Sequence, residues 1–271
     1  MSGLCDESVD KKEKSGRKQS MKEIINNKVQ TLLTKEFYCK FQELEEDRIV
    51  YSIHPKAKHP YIKIMAYKNC VVVCTSKGLS ANIKSLLRGK SRDEIFELPL
   101  VYGQTIHYVP DIYDNGEISI STDYEIEVLL GKEILSLKGI EGFENSLMFD
   151  ENGYTETKAV CVVREHNKII GISGAAESSV DGLWEVGIDV LPEYRNCRIG
   201  TQLVKKLTDV LLEKNIVPFY SASVTNIGSQ MVASRCGYIP AWVDTFGTIL
   251  DGTSFYQDML CGLDKKYDMM P

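Results

Sequence analysis

Residues 190 to 201 read Val-Leu-Pro-Glu-Tyr-Arg-Asn-Cys-Arg-Ile-Gly-Thr, and no other stretch of the chain restricts the fold as strongly. A β-like run breaks at Pro192, passes an arginine-rich turn and enters an amphipathic helix. The first backbone NH groups of such a helix have no intrahelical partner and lie at the positive end of its macrodipole. The segment therefore reads as a cradle for an anion such as a phosphate. Gly200 keeps the backbone there approachable.

The surroundings extend the pattern. Residues 169–175 and 184–191 read as strands, and 199–212 as a helix with Ile199, Leu203, Val204, Leu207, Val210 and Leu211 on one stripe. A strand at 218–224, a short helix at 227–236 and a last strand at 238–245 follow. The order is strand, strand, helix, strand, helix, strand.

Two segments in this order carry a resemblance. Val190-x-Pro192-x-x-Arg195-x-x-Arg198-x-Gly200 is similar to the phosphate loop of the GNAT superfamily of acyl-CoA-dependent N-acyltransferases, usually Arg/Gln-x-x-Gly-x-Gly/Ala after a Val-x-Pro step. Asn226-Ile-Gly-Ser229 followed by Gly237-Tyr238 is similar to the family's second signature at the family's spacing. The resemblance spans roughly residues 125 to 247 and is strong over 158–245. It implies an α/β (α+β) fold: a mixed twisted sheet flanked by helices, with an additional N-terminal α+β domain.

The resemblance also implies a cofactor site. The backbone of Ile188, Asp189 and Val190 would meet the pantetheine arm of acetyl-CoA as an extra strand. The NH groups of Asn196, Cys197, Arg198, Ile199, Gly200 and Thr201 would hold the pyrophosphate, with Arg195 and Arg198 as nearby cations and Asn226 and Ser229 completing the set. Arg198 stands where the family has its first glycine, so the loop is expected to take a conformation that a side chain tolerates. Its charge could meet a CoA phosphate.

Acetyl transfer to an amine needs a base for the ammonium proton and an acid for the departing thiolate. Alternation along 184–190 turns Val186, Ile188 and Val190 toward the helix, and Glu185, Gly187 and Asp189 to the other face. Glu185 is the first candidate base and Asp189 the second. Two solvated carboxylates on an exposed face is the plainer reading. Relatives often carry a tyrosine acid seven residues after the asparagine, where this chain has Ala233; Tyr220, Tyr238 or a water would have to substitute. Tyr238 reads better as a core aromatic.

With 271 residues and 43% hydrophobic content the chain can bury two cores. The expected division is a flexible mixed-charge tail over 1–18, an α+β domain over 19–124 and the transferase domain over 125–271. In the middle region 21–37 and 79–87 suit helices, and 62–66, 71–75 and 105–109 suit strands, with a turn at Lys68-Asn69. Residues 98–131 contain no lysine or arginine while Asp111, Asp114, Glu117, Asp123, Glu125 and Glu127 accumulate, an acidic connection that would draw a cationic acceptor if it overhung the cleft.

Other classes find little support. A net charge of −6 argues against nucleic acid as a partner. No apolar run approaches the ~18 residues of a membrane span, and the opening residues do not read as a signal peptide, so no membrane partner and a cytoplasmic location are expected. The eight cysteines form no Cys-x-x-Cys pair, so reduced structural thiols and no metal are expected. Cys70 and Cys74 would share a strand face, and Cys197, among arginines, is the thiol most exposed to activation. Walker, Gly-x-Gly-x-x-Gly and serine-elbow motifs are absent. The sequence thus points to acetyl-CoA and an unidentified amine as substrates, with an acyl-CoA-binding sensor or interaction module as the alternative and homodimerisation left open.

Overall fold

The computed structural model describes residues 6–99, 101–112 and 124–249. In chain order its elements are α1 (Asp6–Phe37), β1 (Ile49–Ile53), β2 (Tyr61–Tyr67), β3 (Cys70–Thr75), α2 (Ser80–Leu86), α3 (Arg92–Phe96), β4 (Thr105–Pro110) and β5 (Ile126–Leu130). Then come β6 (Thr157–Glu165), β7 (Lys168–Glu177), β8 (Leu183–Val190), α4 (Ile199–Glu213), β9 (Val217–Ser223), α5 (Ile227–Arg235), β10 (Tyr238–Asp244) and β11 (Thr248–Ile249). The elements expected between 62 and 245 are all present within a residue or two. Four strands, β1, β5, β6 and β11, and the short helix α3 were not foreseen. Helix α1 begins at Asp6, well before the expected Met21; the added stretch has no proline to stop a helix. Asp114, Glu117 and Asp123 of the acidic run, along with Cys5 and Cys261, lie outside the described residues.

The described residues divide into two compact units, with boundaries at Leu32/Leu33, Ile106/His107 and Ala241/Trp242. In the first unit the strand order is β4, β9, β8, β7, β6, β5. The β5–β6, β6–β7 and β7–β8 pairs are antiparallel, and β8 pairs with β9 in parallel through the α4 crossover, which makes the sheet mixed. Helix α4 lies on one face, burying Ile199, Leu203, Val204, Leu207 and Leu211. It approaches β7 so closely that a Cβ on Gly171 would stand 2.9 Å from Leu203. The opposite face is covered by a core of Leu129, Ile134, Leu137, Phe143, Leu147, Val160, Val162 and Ile172.

One feature of this sheet positions the site. The β8–β9 ladder runs only from Leu183↔Val217 to Val186↔Tyr220, whereas β8 continues along β7 as far as Val190↔Gly171. Beyond Val186, β8 therefore has, among the described residues, a ladder partner on one edge only, and a gap opens between the two strands.

In the second unit β1 and β3 are parallel, β2 and β3 form a hairpin, and Trp242–Asp244 pairs antiparallel with β2. Ile62, Ile64, Val71, Val73, Ile83, Leu87, Ile95 and Val101 form its core. Trp242 is buried here, and Tyr238 is buried in the first unit. Burial pushes the thiols of Cys39, Cys161 and Cys236 up to about 12 and that of Cys70 to about 11, which keeps them protonated. Among the described residues no helix is long and apolar enough to cross a membrane.

Lys63 of β2 lies 3.0 Å from Glu36 and 3.3 Å from Asp244. Burial acts to lower its pKa, but the two carboxylates outweigh this and hold it above the ordinary lysine value of 10.5. Replacing Asp244 by alanine leaves the ammonium with one carboxylate and should lower the unfolding free energy at neutral pH by about 2 kcal/mol in a urea titration. The group's folded value is raised, so its contribution is complete below the unfolded lysine value and is lost as pH rises through the folded one. The gap between wild type and Asp244→Ala should close in that alkaline range.

Candidate active site

After β8 the chain makes a 3-10 turn at Pro192–Tyr194 and enters α4 through two residues with left-handed backbone, Asn196 (φ 64°) and Arg198 (φ 62°). The expectation at position 198 is a conformation that a side chain tolerates, and the turn meets it only at a cost. The loop keeps the left-handed conformation that glycine adopts freely, and arginine bears a steric cost of roughly 1 kcal/mol there. Arg198 is also the N-cap of α4 with no side-chain cap, which leaves the first-turn amides open to an outside acceptor. Arg195 folds back, its Nε donating to the Val190 carbonyl at 3.1 Å.

This turn forms one wall of a cleft of about 570 Å³. Ile188, Asp189, Val190, Arg195, Asn196, Arg198, Ile199, Gly200, Thr201, Asn226 and Ser229 all line it. Cys197 does not and points outward, exposed. Asn145, Tyr194, Gly228, Met231, Val232 and Arg235 also line it, and sequence reasoning had named none of them for this role. A Cβ on Gly200 would face Ile188, Val190 and Val232 at 3.5–3.7 Å, so this glycine widens the cleft.

A second cleft, of about 710 Å³, shares Asn145, Ile188, Asn226 and Ser229 with the first. The two thus meet where β8 and β9 part. Glu185 and Gly187 of β8, Gly174 and Ala176 of β7, and Ser221 to Ser223 of β9 contribute to it, along with the segment from Glu144 to Asp150. Among the described residues its lining includes four carboxylates, Glu144, Asp150, Glu156 and Glu185, and no lysine or arginine. The Glu185 side chain is exposed and has no hydrogen-bond or ion-pair partner among the described residues. Of the acidic run read as a connection between domains, Asp111, Glu125 and Glu127 are not among these lining residues.

Asp189 stands in a different environment from Glu185. Its Oδ1 accepts from Asn145 Nδ2 at 2.6 Å, and its Oδ2 accepts from the Ser146 backbone NH at 2.8 Å with the Ser146 hydroxyl at 2.9 Å. The carboxylate anchors the 144–147 segment. Beneath that segment Gly174 and Gly187 are cross-strand partners. A Cβ on Gly174 would stand 1.9 Å from the Ser146 carbonyl oxygen, and one on Gly187 1.9 Å from that of Asn145. The two glycines make a slot in which the Asn145–Ser146 peptide lies flush on the sheet. Glycines interrupting a strand pattern were the available signal, since they mark close backbone approach.

At the junction of the clefts the Tyr220 hydroxyl lies 2.6 Å from Ser229 Oγ. Burial pushes Tyr220 up to about 12, against a lowering by the Ser229 hydrogen bond, so it is a neutral hydroxyl at physiological pH. Asn226 Oδ1 accepts from the Ser229 NH at 3.1 Å and so caps α5 and fixes Ser229 in place. Ala233 is fully buried. Tyr238 is also buried, 2.7 Å from Thr208 of α4, which places it in the core away from either cleft.

Residues 131–238 match the family model described as the acetyltransferase (GNAT) family, so the matched region contains both clefts. A protein from Novosphingobium aromaticivorans assigned to the GNAT acetyltransferases is similar in structure at 16% identity, over 64% of this chain and 81% of its own, with a TM-score of 0.42. A GCN5-related N-acetyltransferase-like protein from Streptococcus suis is similar at 13% identity, over 66% and 71%, with a TM-score of 0.40. An aminoglycoside N-acetyltransferase in complex with CoA is similar at 17% identity, over 45% and 93%, with a TM-score of 0.34. No curated protein matches the chain.

The slot and the strained turn each have a measurable consequence. Gly187→Ala cannot be accommodated without moving the Asn145 peptide and should destabilise the protein by about 3 kcal/mol in chemical denaturation. At position 198, Arg198→Gly should be more stable than Arg198→Ala by about 1 kcal/mol in the same assay, because only glycine relieves the left-handed backbone.

Proposed function

With residues 131–238 a domain of the GNAT acetyltransferase family, we propose that the chain transfers an acetyl group from acetyl-CoA to a primary amine by direct attack in a ternary complex. The observation that carries this reading is the junction of the two clefts at the parting of β8 and β9. One side offers a phosphate-sized turn and the arginines 195 and 198. The other is bordered by carboxylates. A thioester placed at the junction would have a donor arm on one side and a cationic nucleophile on the other.

The residues present suit acetyl-CoA. The edge of β8 from Ile188 to Val190 lacks a strand partner toward β9 and would run beside the pantetheine arm. The Val190 carbonyl is already taken by Arg195, so the backbone of Ile188 is the more open part of that edge. The amides from Asn196 to Thr201 would receive the pyrophosphate, with the Arg198 guanidinium alongside. Cys197 would contribute its backbone only.

On the acceptor side the acidic lining favours an ammonium group. Glu185, unpaired among the described residues and on the cleft face of β8, takes the proton that must leave before nitrogen can attack, directly or through a water. Asp189, the second candidate, is engaged by Asn145 and Ser146, so its role is to hold the acceptor wall. A backbone amide near Ile188 polarises the thioester carbonyl. Tyr220, protonated and set at the junction by Ser229, returns a proton to the departing sulfur. This hydroxyl supplies what position 233 lacks, and it weakens the case for a sensor without turnover.

Calorimetric titration with acetyl-CoA tests the first half of the reading. Micromolar binding is expected, weakened about tenfold or more in the Arg195→Ala, Arg198→Ala double variant; no binding by the wild type would sink the assignment. Thiol release from acetyl-CoA with spermidine, kanamycin and a lysine-containing peptide tests the second half. Glu185→Gln should lower kcat about 100-fold while leaving acetyl-CoA affinity intact.

A further inference from the structure

An ammonium nitrogen that becomes an amide nitrogen loses two protons, and the departing thiolate consumes the equivalent of one. Glu185 accounts for the first. The structure also contains a receiver for the second, an inference that rests on the transferase reading above.

Four serines line the acceptor cleft. Ser146 is held between Asp189 and the Ile172 carbonyl, Ser229 is paired with Tyr220, and Ser223 lies 3.1 Å from Thr225. Among the described residues Ser221 alone of the four is backed by a nitrogen base: its Oγ lies 2.9 Å from Nδ1 of His107, on β4. His107 is half-buried, does not itself line the cleft, and rests against Phe219 with ring centroids 6.3 Å apart. Ser221 directly follows Tyr220, the last residue of β9 on the β8 ladder. It shares a sheet face with Phe219, the register partner of Glu185, so Ser221 and Glu185 present their side chains to the same side of the gap.

We infer that Ser221 and His107 form a proton-accepting pair for acetyl transfer, with Ser221 touching the acceptor nitrogen and His107 acting through it. The pair works after the nitrogen has bonded to the acetyl carbon. The N–H bond breaks and its electron pair stays on nitrogen, while the proton forms a new O–H bond at Ser221. The original Ser221 proton passes to Nδ1 of His107, which becomes an imidazolium and later releases the proton to solvent. Nδ1 must begin unprotonated, with the ring hydrogen on Nε2. The electron pair of the breaking C–S bond leaves with sulfur, which takes its proton from Tyr220. Ser221 is thus the catalytic residue of the pair and His107 a positioning and proton-storing residue behind it.

The test uses thiol release from acetyl-CoA with the same three amines. His107→Asn can keep a hydrogen bond to Ser221 but cannot take up a proton, and Ser221→Ala removes the hydroxyl. Each should lower kcat about 100-fold, with the KM for acetyl-CoA and the thermal unfolding midpoint unchanged. Ser221→Thr, which retains a hydroxyl, should stay within about tenfold of wild type. The double variant should be no slower than the slower single one, because both remove one pathway. Full kcat in either single variant, or losses that multiply in the double, overturns the pair while leaving the transferase reading standing. A wild type that turns over none of the three amines overturns that reading, and the pair falls with it.

Discussion

The parallel ladder between β8 and β9 stops after Val186↔Tyr220, and the rest of the site depends on its stopping. Unpaired backbone groups in a sheet are costly unless water or a ligand meets them, so a strand that keeps one partner and loses the other marks a place built for something else to lie there. The gap brings Ile188 and Asn145 to the border of both clefts and lets Ser221, Tyr220 and Ser229 converge from the far side. A ladder continued for two more residues would close that space.

Two further devices hold the gap in shape. On the acceptor side, Asp189 uses both carboxylate oxygens to anchor the Asn145–Ser146 peptide over two glycines. On the donor side, the turn into α4 keeps its left-handed backbone at Arg198 although a side chain is present. Both are cases of tertiary context overriding local preference. In the first, a charged residue on an outwardly polar strand is drawn into a covered position. In the second, steric strain persists because the surrounding strand, turn and helix leave the loop little alternative.

Most of the transferase half could be read in advance, for identifiable reasons. The 3.6-residue stripe of α4, the proline after β8 and the asparagine cap of α5 are local signals, and local signals survive in a single sequence. The alternation along β8 correctly set Glu185, Gly187 and Asp189 on one face. β6 escaped because its Ala159 to Val163 run is buried without interruption, leaving no period by which to tell strand from helix. The 144–150 wall and the Ser221–His107 contact were out of reach for another reason. Each joins residues more than forty positions apart, and only the folded sheet brings them together. Conversely, the cluster of acids seen between 98 and 131 is a composition feature, and composition does not say which side chains share a cleft.

The glycine slot beneath Asn145 and Ser146 bears on how such a site can diversify. A side chain at either glycine would push the segment off the sheet, and the carboxylate at 189 would then lose its anchor as well, so these three positions can change only together. The side chains of Glu144 and Leu147 to Asp150 carry no such backbone burden at the slot, although they too line the acceptor cleft. Variation in what the cleft admits is therefore channelled into that short segment: the strands act as a fixed bed, and new acceptor preferences can arise by exchanging residues on a wall whose path is already determined.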